Sequence, residues 1–574
     1  MQDAVIQKKM TGFGDVAEPL LILDYVYQHE EANPNRLYLT QPIGGREVVD
    51  YTWAEVVDQS KRMAAYILAQ GFGPGARVAI LSKNCAHFIL AELAIWMAGA
   101  TTVAIFPTET PETIRYVLED SGASLLFVGK LDGWDPELLT VIGCLPCVAF
   151  PLAPDTPFEP WDAIVARTPA LSGKVKRQTD DLAFICYTSG STGQPKGVMH
   201  SFGRISRTAQ LMEEYTAFWL GQNFEARILS YLPLAHIYER AWVECLSLVS
   251  GQTHIYFAEN LDSFMQDMNR ARPNTYISVP RLWLKFQQAV LSKIPPKTLD
   301  RLLDDPVHGP LVAQDALKSL GLDQVVMASS GSAPIPAELI AWYQRLGLNL
   351  LEGYGMTEDF AYSHASSPDV NAPGYVGIPL PGVEVRISDE GEILIKSPGQ
   401  MVGYYKRPDL NSDIFTTDGF FRTGDTGERL PNGLLKITGR IKELFKTSKG
   451  KYVAPAPIEN QFNNHPVIES TMVSGVGQAA PYAMVVLAEY WRPKQKDLSL
   501  RCELEPQILK LLHDINSRLA SHEQLKMVVV MAEPWTIQNG CLTPTLKIKR
   551  SRIEAAVSHQ VQAWYQSKNP VIWT

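Results

Sequence analysis

Short apolar runs punctuate roughly the first four hundred residues of the chain: RVAILS, TTVAIFP, SLLFVGK, LAFICYT, RILSYLP, THIYFA, NTYISVP and QVVMASS. Each is too short for an ordinary helix and rich in β-branched or aromatic residues, which reads as a buried strand. Helical spacing fills the gaps. YTWAEVVDQSKRMAAYILAQGFGPG carries apolar residues three and four apart and stops at Gly73, Pro74 and Gly75, while FILAELAIWMAGA reads as a buried helix. Strands apolar on both faces need helices on both sides, so the alternation predicts an α/β fold of layered, mostly parallel sheets. No internal repeat interrupts it.

At 574 residues the chain exceeds one hydrophobic core, and two or more domains are expected. Beyond about residue 375 the texture shifts to short strands with glycine turns, VEVRISDEGEILIKSPG and GLLKITGR, which suits a small antiparallel β subdomain. From Arg440 onward charge is denser, with helices expected at APIENQFNN and EPQILKLLHDINSRLA and strands at TMVSGV and YAMVVLAEY. The expected division is a large N-terminal domain, 1–439, and a small α+β C-terminal domain, 440–574.

The formal charge of -9 is spread along the chain, and no basic run is longer than KIKR. Nucleic acid is therefore not an expected partner. The opening MQDAVIQKKMTGFGD lacks a signal-peptide core, and the longest apolar region, 86–106, is interrupted by His87, Glu92 and Gly99. A cytoplasmic protein without membrane spans is expected, with peripheral membrane contact and oligomeric state left open. Seven cysteines in a chain this long do not suggest a disulfide framework. Cys144 and Cys147 in CLPC have redox spacing, but no second pair or histidine cluster accompanies them, and coincidence in an apolar strand-like run is the simpler reading.

Chemistry concentrates first at YTSGSTGQPKGVMHS, residues 187–201. A strand running into a Gly/Ser/Thr loop and then a helix can converge backbone N–H groups on a phosphate. Gly190, Gly193 and Gly197 permit close approach, Thr188, Ser189, Ser191 and Thr192 add neutral donors, and Lys196 adds a mobile charge. Ser201 stands where it can cap a helix with Ile205, Ala209 and Met212 inside. A P-loop hydrolase is excluded by spacing, because its lysine directly follows glycine and precedes Ser or Thr. A flexible surface linker is the plain alternative.

The loop resembles the phosphate-loop signature of the adenylate-forming superfamily, which includes acyl-CoA synthetases, luciferases and peptide-synthetase adenylation domains. YLPLAHIYER, SVPRLW, SSGSAPIP, EGYGMTE, FRTGDTGERLPNGLLKITGRIKELFKTSKGKYVAP and LTPTLKIKR follow in order and resemble its remaining signatures across nearly the whole chain. YLPLAHIYER, SVPRLW and TPTLKIKR are most similar to long-chain fatty acyl-CoA synthetases. The resemblance implies ATP, Mg²⁺ and coenzyme A as partners of a fatty acid: its carboxylate attacks the α-phosphate to give acyl-AMP and pyrophosphate, and the coenzyme A thiol then displaces AMP.

It also implies roles. Thr188, Ser189, Gly190, Ser191, Thr192, Gly193 and Lys196 would clasp the β- and γ-phosphates. In EGYGMTE, Glu352, Gly353, Tyr354 and Gly355 belong to the adenine segment, Thr357 would touch the α-phosphate, and Glu358, with Thr188, would ligate Mg²⁺. Ser332, Ala333 and Pro334 would lie beside adenine, with a plain strand-end turn as the alternative. Asp425 would hold the ribose and Arg440 the ribose or a phosphate. His236 would gate the acyl carbonyl, with a packed core histidine as the alternative, and Trp242 would line the acyl pocket or simply fill core. Lys547 would bridge carboxylate and α-phosphate. Many members have Ser-Gly-Lys there; this chain has Thr545, Leu546 and Lys547, and on an extended segment Lys549 would share its face and compete.

The family's site must exclude water for the first step and admit a thiol for the second. The resemblance implies that the small domain rotates between two poses about a hinge at Lys442, with Gly450 then approaching the pantetheine arm and Lys449 or Lys451 meeting coenzyme A phosphates. Charged surface decoration is the alternative for those lysines. Transfer to a carrier-protein thiol, a non-fatty acid substrate, or a silent acyl- or nucleotide-binding protein remain rival functions, and chain length of the acid is written in no motif.

Overall fold

The computed structural model describes residues 20–134, 136–188, 194–543 and 545–574. Its largest sheet has eight strands in the spatial order Gly403–Tyr404, Lys196–Ser201, Leu182–Thr188, Thr101–Ile105, Arg77–Leu81, Ala123–Val128, Cys147–Ala149, Glu159–Pro160. From Leu182–Thr188 onward the pairing is parallel throughout. Period-two alternation sends Val78, Ile80, Leu125, Phe127 and Phe184 into one core and Ala79, Leu81, Leu126, Val128 and Ile185 into another on the opposite face. The predicted layered α/β architecture is what forms. The helix Ala86–Met97 is buried at every position, as its unbroken apolar character predicts. The helix Trp53–Ala69 packs beside it and opens with a capping box, Thr52 and Glu55 each satisfying the other's backbone N–H.

A five-stranded sheet starts with three parallel strands, Thr275–Ser278, Met327–Ser330 and Leu350–Tyr354, and a four-stranded antiparallel sheet spans Glu384–Ile387 to Leu435–Arg440. Beyond it, the strands Ile468–Ser474, Tyr482–Leu487, Val528–Val530 and Val571–Trp573 form a separate sheet with its own apolar layer on each face. One helix differs from expectation: it begins at Leu498 and runs through Pro506 to Asn516, rather than starting at the proline. Asp497 caps it by accepting from the Ser499 N–H at 2.8 Å, a stronger start than Pro506 offers. Among the described residues no helix is long and apolar enough to cross a membrane. All seven cysteines are free thiols, and burial pushes Cys147 up to about 12, far from a reactive thiolate.

The opening loop is also mounted differently from the strand–loop–helix expected. Leu182–Thr188 turns back as the antiparallel strand Lys196–Ser201, and the helix Phe202–Leu220 starts only after it. In KGVMHS, Val198 and His200 point inward and are buried, so the segment satisfies a sheet before it can enter a helix. Thr188 and Lys196 face each other as the last ladder pair, with 189–193 outside the described residues. Ser201 occupies the cap position but its hydroxyl makes no capping bond.

Candidate active site

A cavity of about 90 Å³ opens where the strand Leu182–Thr188 ends. Phe106, Tyr187, Thr188, His236 and Thr357 wall it from the large domain; Thr543, Thr545 and Lys547 close it from the far end of the chain. Residues more than three hundred positions apart thus meet at one point. Lys547 keeps solvent exposure at this cleft, and desolvation by the neighbouring protein, followed by the nearby Arg440 charge, holds its pKa below the usual lysine range. Asp425 and Glu358 partly offset the shift.

The segment carrying Lys547 folds back on 541–543 as a short hairpin. Thr543 N–H donates to the Lys547 carbonyl at 2.8 Å, Lys547 N–H donates to Thr543 Oγ1 at 3.0 Å, and Lys549 N–H returns to the Cys541 carbonyl at 2.8 Å. Leu546 at the turn has φ +61°, a left-handed conformation that costs a side-chain-bearing residue about 1–2 kcal/mol. Of the two candidate lysines, Lys547 walls the cavity and Lys549 does not, although 547–549 pairs back on 541–543 as one short hairpin arm. Lys549 stands before the helix Arg550–Val557, and its charge acts on Glu109.

His236 ends a turn and caps the short helix Ile237–Glu239, its Nδ1 accepting the Tyr238 N–H at 3.2 Å. Burial pushes its pKa down to about 3, with the Lys547 charge adding to the effect. The ring is therefore neutral, with its proton on Nε2. Sequence reasoning missed the residue that holds this turn. Asn84 Nδ2 donates to the Leu232 carbonyl at 2.6 Å and to Ser230 Oγ at 2.8 Å, while its Oδ1 accepts the Leu234 N–H at 2.9 Å. It lies in no motif, and only the fold brings it near. Trp242 donates to the Ala361 carbonyl at 2.9 Å and stacks on Tyr362; it packs against the core and is not among the residues walling the cavity.

Glu358 Oε1 accepts from the Tyr404 hydroxyl at 2.7 Å, and Lys196 Nζ sits 5.2 Å from the centre of the same ring. Burial lowers the Lys196 pKa, with Lys442 and Arg407 contributing like charge. Both oxygens of Asp425 are engaged: Oδ2 accepts from the Tyr354 hydroxyl at 2.7 Å, and Oδ1 pairs with Arg440 Nε at 2.9 Å. Gly355 is close-packed, since a Cβ there would stand 2.7 Å from the Ala361 backbone, whereas Gly353 meets nothing closer than 3.7 Å. Ser332, at φ +68°, with exposed Ala333 and Pro334, forms the turn after the strand Met327–Ser330.

Glu352, expected in the adenine segment, is a buried residue of the strand Leu350–Tyr354. It accepts the Ile335 N–H at 3.5 Å, and burial raises its pKa to about 8. It supports the 332–334 turn from behind. Lys449 and Gly450 sit in an exposed turn of the hairpin Phe445–Lys446 and Tyr452–Val453 and do not wall the cavity.

Buried titratable groups around the site predict a pH profile of stability. His87, His200, His236 and His364 are each held near 3 by burial. Unfolded histidine titrates near 6.5, so their contribution is present above that pH and lost as pH falls, by about 1.4 kcal/mol per pH unit per histidine. Glu239 and Glu352, raised to about 8, and Asp359, raised to about 7, act oppositely. Their contribution is present below the unfolded carboxylate range, about 4, and is lost as pH rises through their folded values. Denaturant unfolding should show stability rising by only about 1.4 kcal/mol per pH unit between about pH 4.5 and 6.5, where four histidines oppose three carboxylates, with a steeper loss below that range and a decline above it. Stability still rising from pH 6.5 to 8 would contradict this.

Two family models match the chain. The AMP-binding enzyme model matches residues 26–405, and the AMP-binding enzyme C-terminal domain model matches residues 443–569. Long-chain-fatty-acid–CoA ligase FadD15 of Mycobacterium bovis is 28% identical, over 95% of this chain and 96% of its own. Human long-chain-fatty-acid–CoA ligase 1 is 26% identical, over 90% of this chain and 83% of its own. Among solved structures, the adenylation domain of the carboxylate reductase of Mycobacterium chelonae has a TM-score of 0.78 at 21% identity, covering 96% of this chain and 91% of that one. The anthranilate CoA ligase AuaEII, solved with anthranoyl-AMP, has a TM-score of 0.75 at 20% identity, covering 96% and 99%. With both models matched across most of its length, the chain belongs to the AMP-binding enzymes of the adenylate-forming superfamily.

Proposed function

We propose that this enzyme is an ATP-dependent fatty acid:CoA ligase, acting on long-chain acids through an acyl-AMP intermediate. The observation that carries the reading is Lys547, delivered by the last part of the chain into a cavity walled by His236, Thr188 and Thr357. A carboxylate oxygen attacks the α-phosphorus of ATP; the bond from that phosphorus to the bridging oxygen breaks, and pyrophosphate leaves with the electron pair. The sulfur of coenzyme A then attacks the acyl carbonyl, and AMP leaves as the carbonyl re-forms. Two anions must meet in the first step, so a cation between carboxylate and α-phosphate favours the transition state most. Lys547 fills that place. His236 directs an N–H from Nε2 across the same cavity, and the phosphate loop from Thr188 to Lys196 holds the departing pyrophosphate. Asp425 and Tyr354 take the ribose and adenine with the 332–334 turn, and Arg440 answers the sugar or a phosphate.

No three His, Cys, Asp or Glu side chains gather to cage a metal among the described residues. Mg²⁺ keeps waters and phosphate oxygens and needs only one or two protein oxygens, and Glu358, a hard oxygen donor held by the Tyr404 hydroxyl, fits it. Glu358 and Thr188 would hold it, and when bound it supplies charge neutralisation at the phosphates. The boundary at 439–442, a pose change that brings Lys449 and Gly450 to coenzyme A, and a cytoplasmic or membrane-peripheral location belong to the same proposal.

Pyrophosphate release measured against a panel of carboxylic acids, with and without coenzyme A, tests it. Release is expected to be greatest with long-chain acids and to be followed by acyl-CoA. No release with any acid would overturn the ligase reading. Release without thioester would redirect it to a carrier-protein acceptor, and preference for a short or aromatic acid would overturn the long-chain assignment.

A further inference from the structure

Arg550 stands at the first position of the helix Arg550–Val557, where the helix dipole disfavours a cation. Its surroundings explain its presence. Nη1 and Nη2 donate to the two carboxylate oxygens of Glu459 at 2.6 and 2.5 Å, a bidentate pair, and Nε meets Glu443 Oε2 at 3.2 Å. Glu459 is buried in the helix Pro455–Asn463 and also accepts the Val473 N–H at 2.7 Å. One guanidinium thus joins three separate pieces of chain.

Two of those pieces matter to the site. Glu443 closes the turn Ile441–Glu443, which directly follows Arg440. Arg440 is paired with Asp425 at 2.9 Å, on the strand Phe421–Arg429 beside it. Ile441 and Lys442 therefore lie between two ion pairs, one fastened to the large domain and one to Arg550. On its other side Arg550 is three residues beyond Lys547, in a loop closed by the Lys549 N–H to Cys541 carbonyl bond. That loop holds Leu546 left-handed, and such a conformation persists only where its surroundings over-determine it.

The geometry points to Arg550 as a positioning residue that makes the turn at 441–443 and the Lys547 loop one rigid piece, so that any rotation at Ile441 and Lys442 carries Lys547 into or out of the cavity without slack. This rests on the adenylation role proposed for Lys547. It assigns Glu443 and Glu459 as the two ends of the brace: Glu459 anchors Arg550 in the small domain, and Glu443 transmits the position of the turn.

The test uses the full-length enzyme with Glu443→Gln, which loosens only the more exposed end, and Arg550→Lys, which keeps a charge on Glu459 but cannot span both carboxylates. Hydrogen–deuterium exchange should rise several-fold at 441–447 and at 545–549 together. Pyrophosphate release should fall about tenfold, as ångström-scale misplacement of a reacting group does. Thioester formation from supplied acyl-AMP should stay near the parent value, as should the melting temperature. Faster exchange at 441–447 with an unchanged Lys547 loop would overturn the brace, as would equal loss of both half-reactions alongside a lowered melting temperature. An unmutated enzyme that activates no acid would instead count against the ligase reading, while the exchange measurement would still decide the coupling.

Discussion

Replacing Lys547 with alanine is expected to slow pyrophosphate release by about 10²–10³-fold, the usual cost of deleting one preorganised charge at a transition state. The side chain is the one fixed cation among the described residues that wall the cavity; His236 is neutral there. Partial desolvation makes its charge count for more than it would in bulk water, since the surroundings that lower its pKa also strengthen its pull on phosphate and carboxylate. Thioester formation from supplied acyl-AMP does not need that charge and should change by less than about threefold. Lys549→Ala serves as the control. That lysine does not wall the cavity, and its loss should leave pyrophosphate release within about threefold of the parent. Equal loss of both half-reactions in Lys547→Ala, or a larger loss in Lys549→Ala, would show that the wrong lysine has been assigned.

The second large effect is on stability. Arg240 is fully buried behind the His236 turn, its Nη1 2.9 Å from Glu92 Oε1, its Nε donating to the Leu234 carbonyl at 3.2 Å, and its plane near the Phe88 and Phe184 rings. Glu244 lies beside it with its pKa held well above the carboxylate range by burial and by Glu92, so the guanidinium is the counter-charge for Glu92. Arg240→Met should cost about 3–5 kcal/mol in urea unfolding, because it strands a buried carboxylate. The double change Arg240→Met with Glu92→Gln should recover most of that loss, since neutral side chains of similar volume carry no unpaired charge. A double variant as unstable as the single one would show that packing, rather than charge pairing, sets the cost.

Much of this was legible in the residues alone. The strands RVAILS, TTVAIFP and LAFICYT are buried on both faces, and period-two alternation assigns their side chains to cores that the structure keeps separate. The cavity takes Thr188, His236, Thr357 and Lys547 from four of the segments that the sequence had singled out. What escaped was set by long-range contact. Asn84 fixes the His236 turn across 150 residues of sequence, and no local pattern marks it. KGVMHS has strand and helix-entry character at once; its pairing with Leu182–Thr188 decided, because burial of Val198 and His200 outweighs a cap at Ser201. The direction of Lys547 depended on a left-handed leucine, which sequence reasoning has no reason to expect outside glycine or asparagine.

The fixed tautomer of His236 has a kinetic consequence. With Nδ1 occupied by the Tyr238 N–H and the ring's pKa near 3, the imidazole presents the same single donor at every pH at which the enzyme remains folded. It is a rigid dipole rather than a proton carrier. Among the groups walling the cavity, Lys547 is the one whose lowered pKa would add an alkaline limb to the adenylation proposed for it. The histidine across the cavity is neutral near physiological pH, so the charge that a change of pH can alter there is the lysine's.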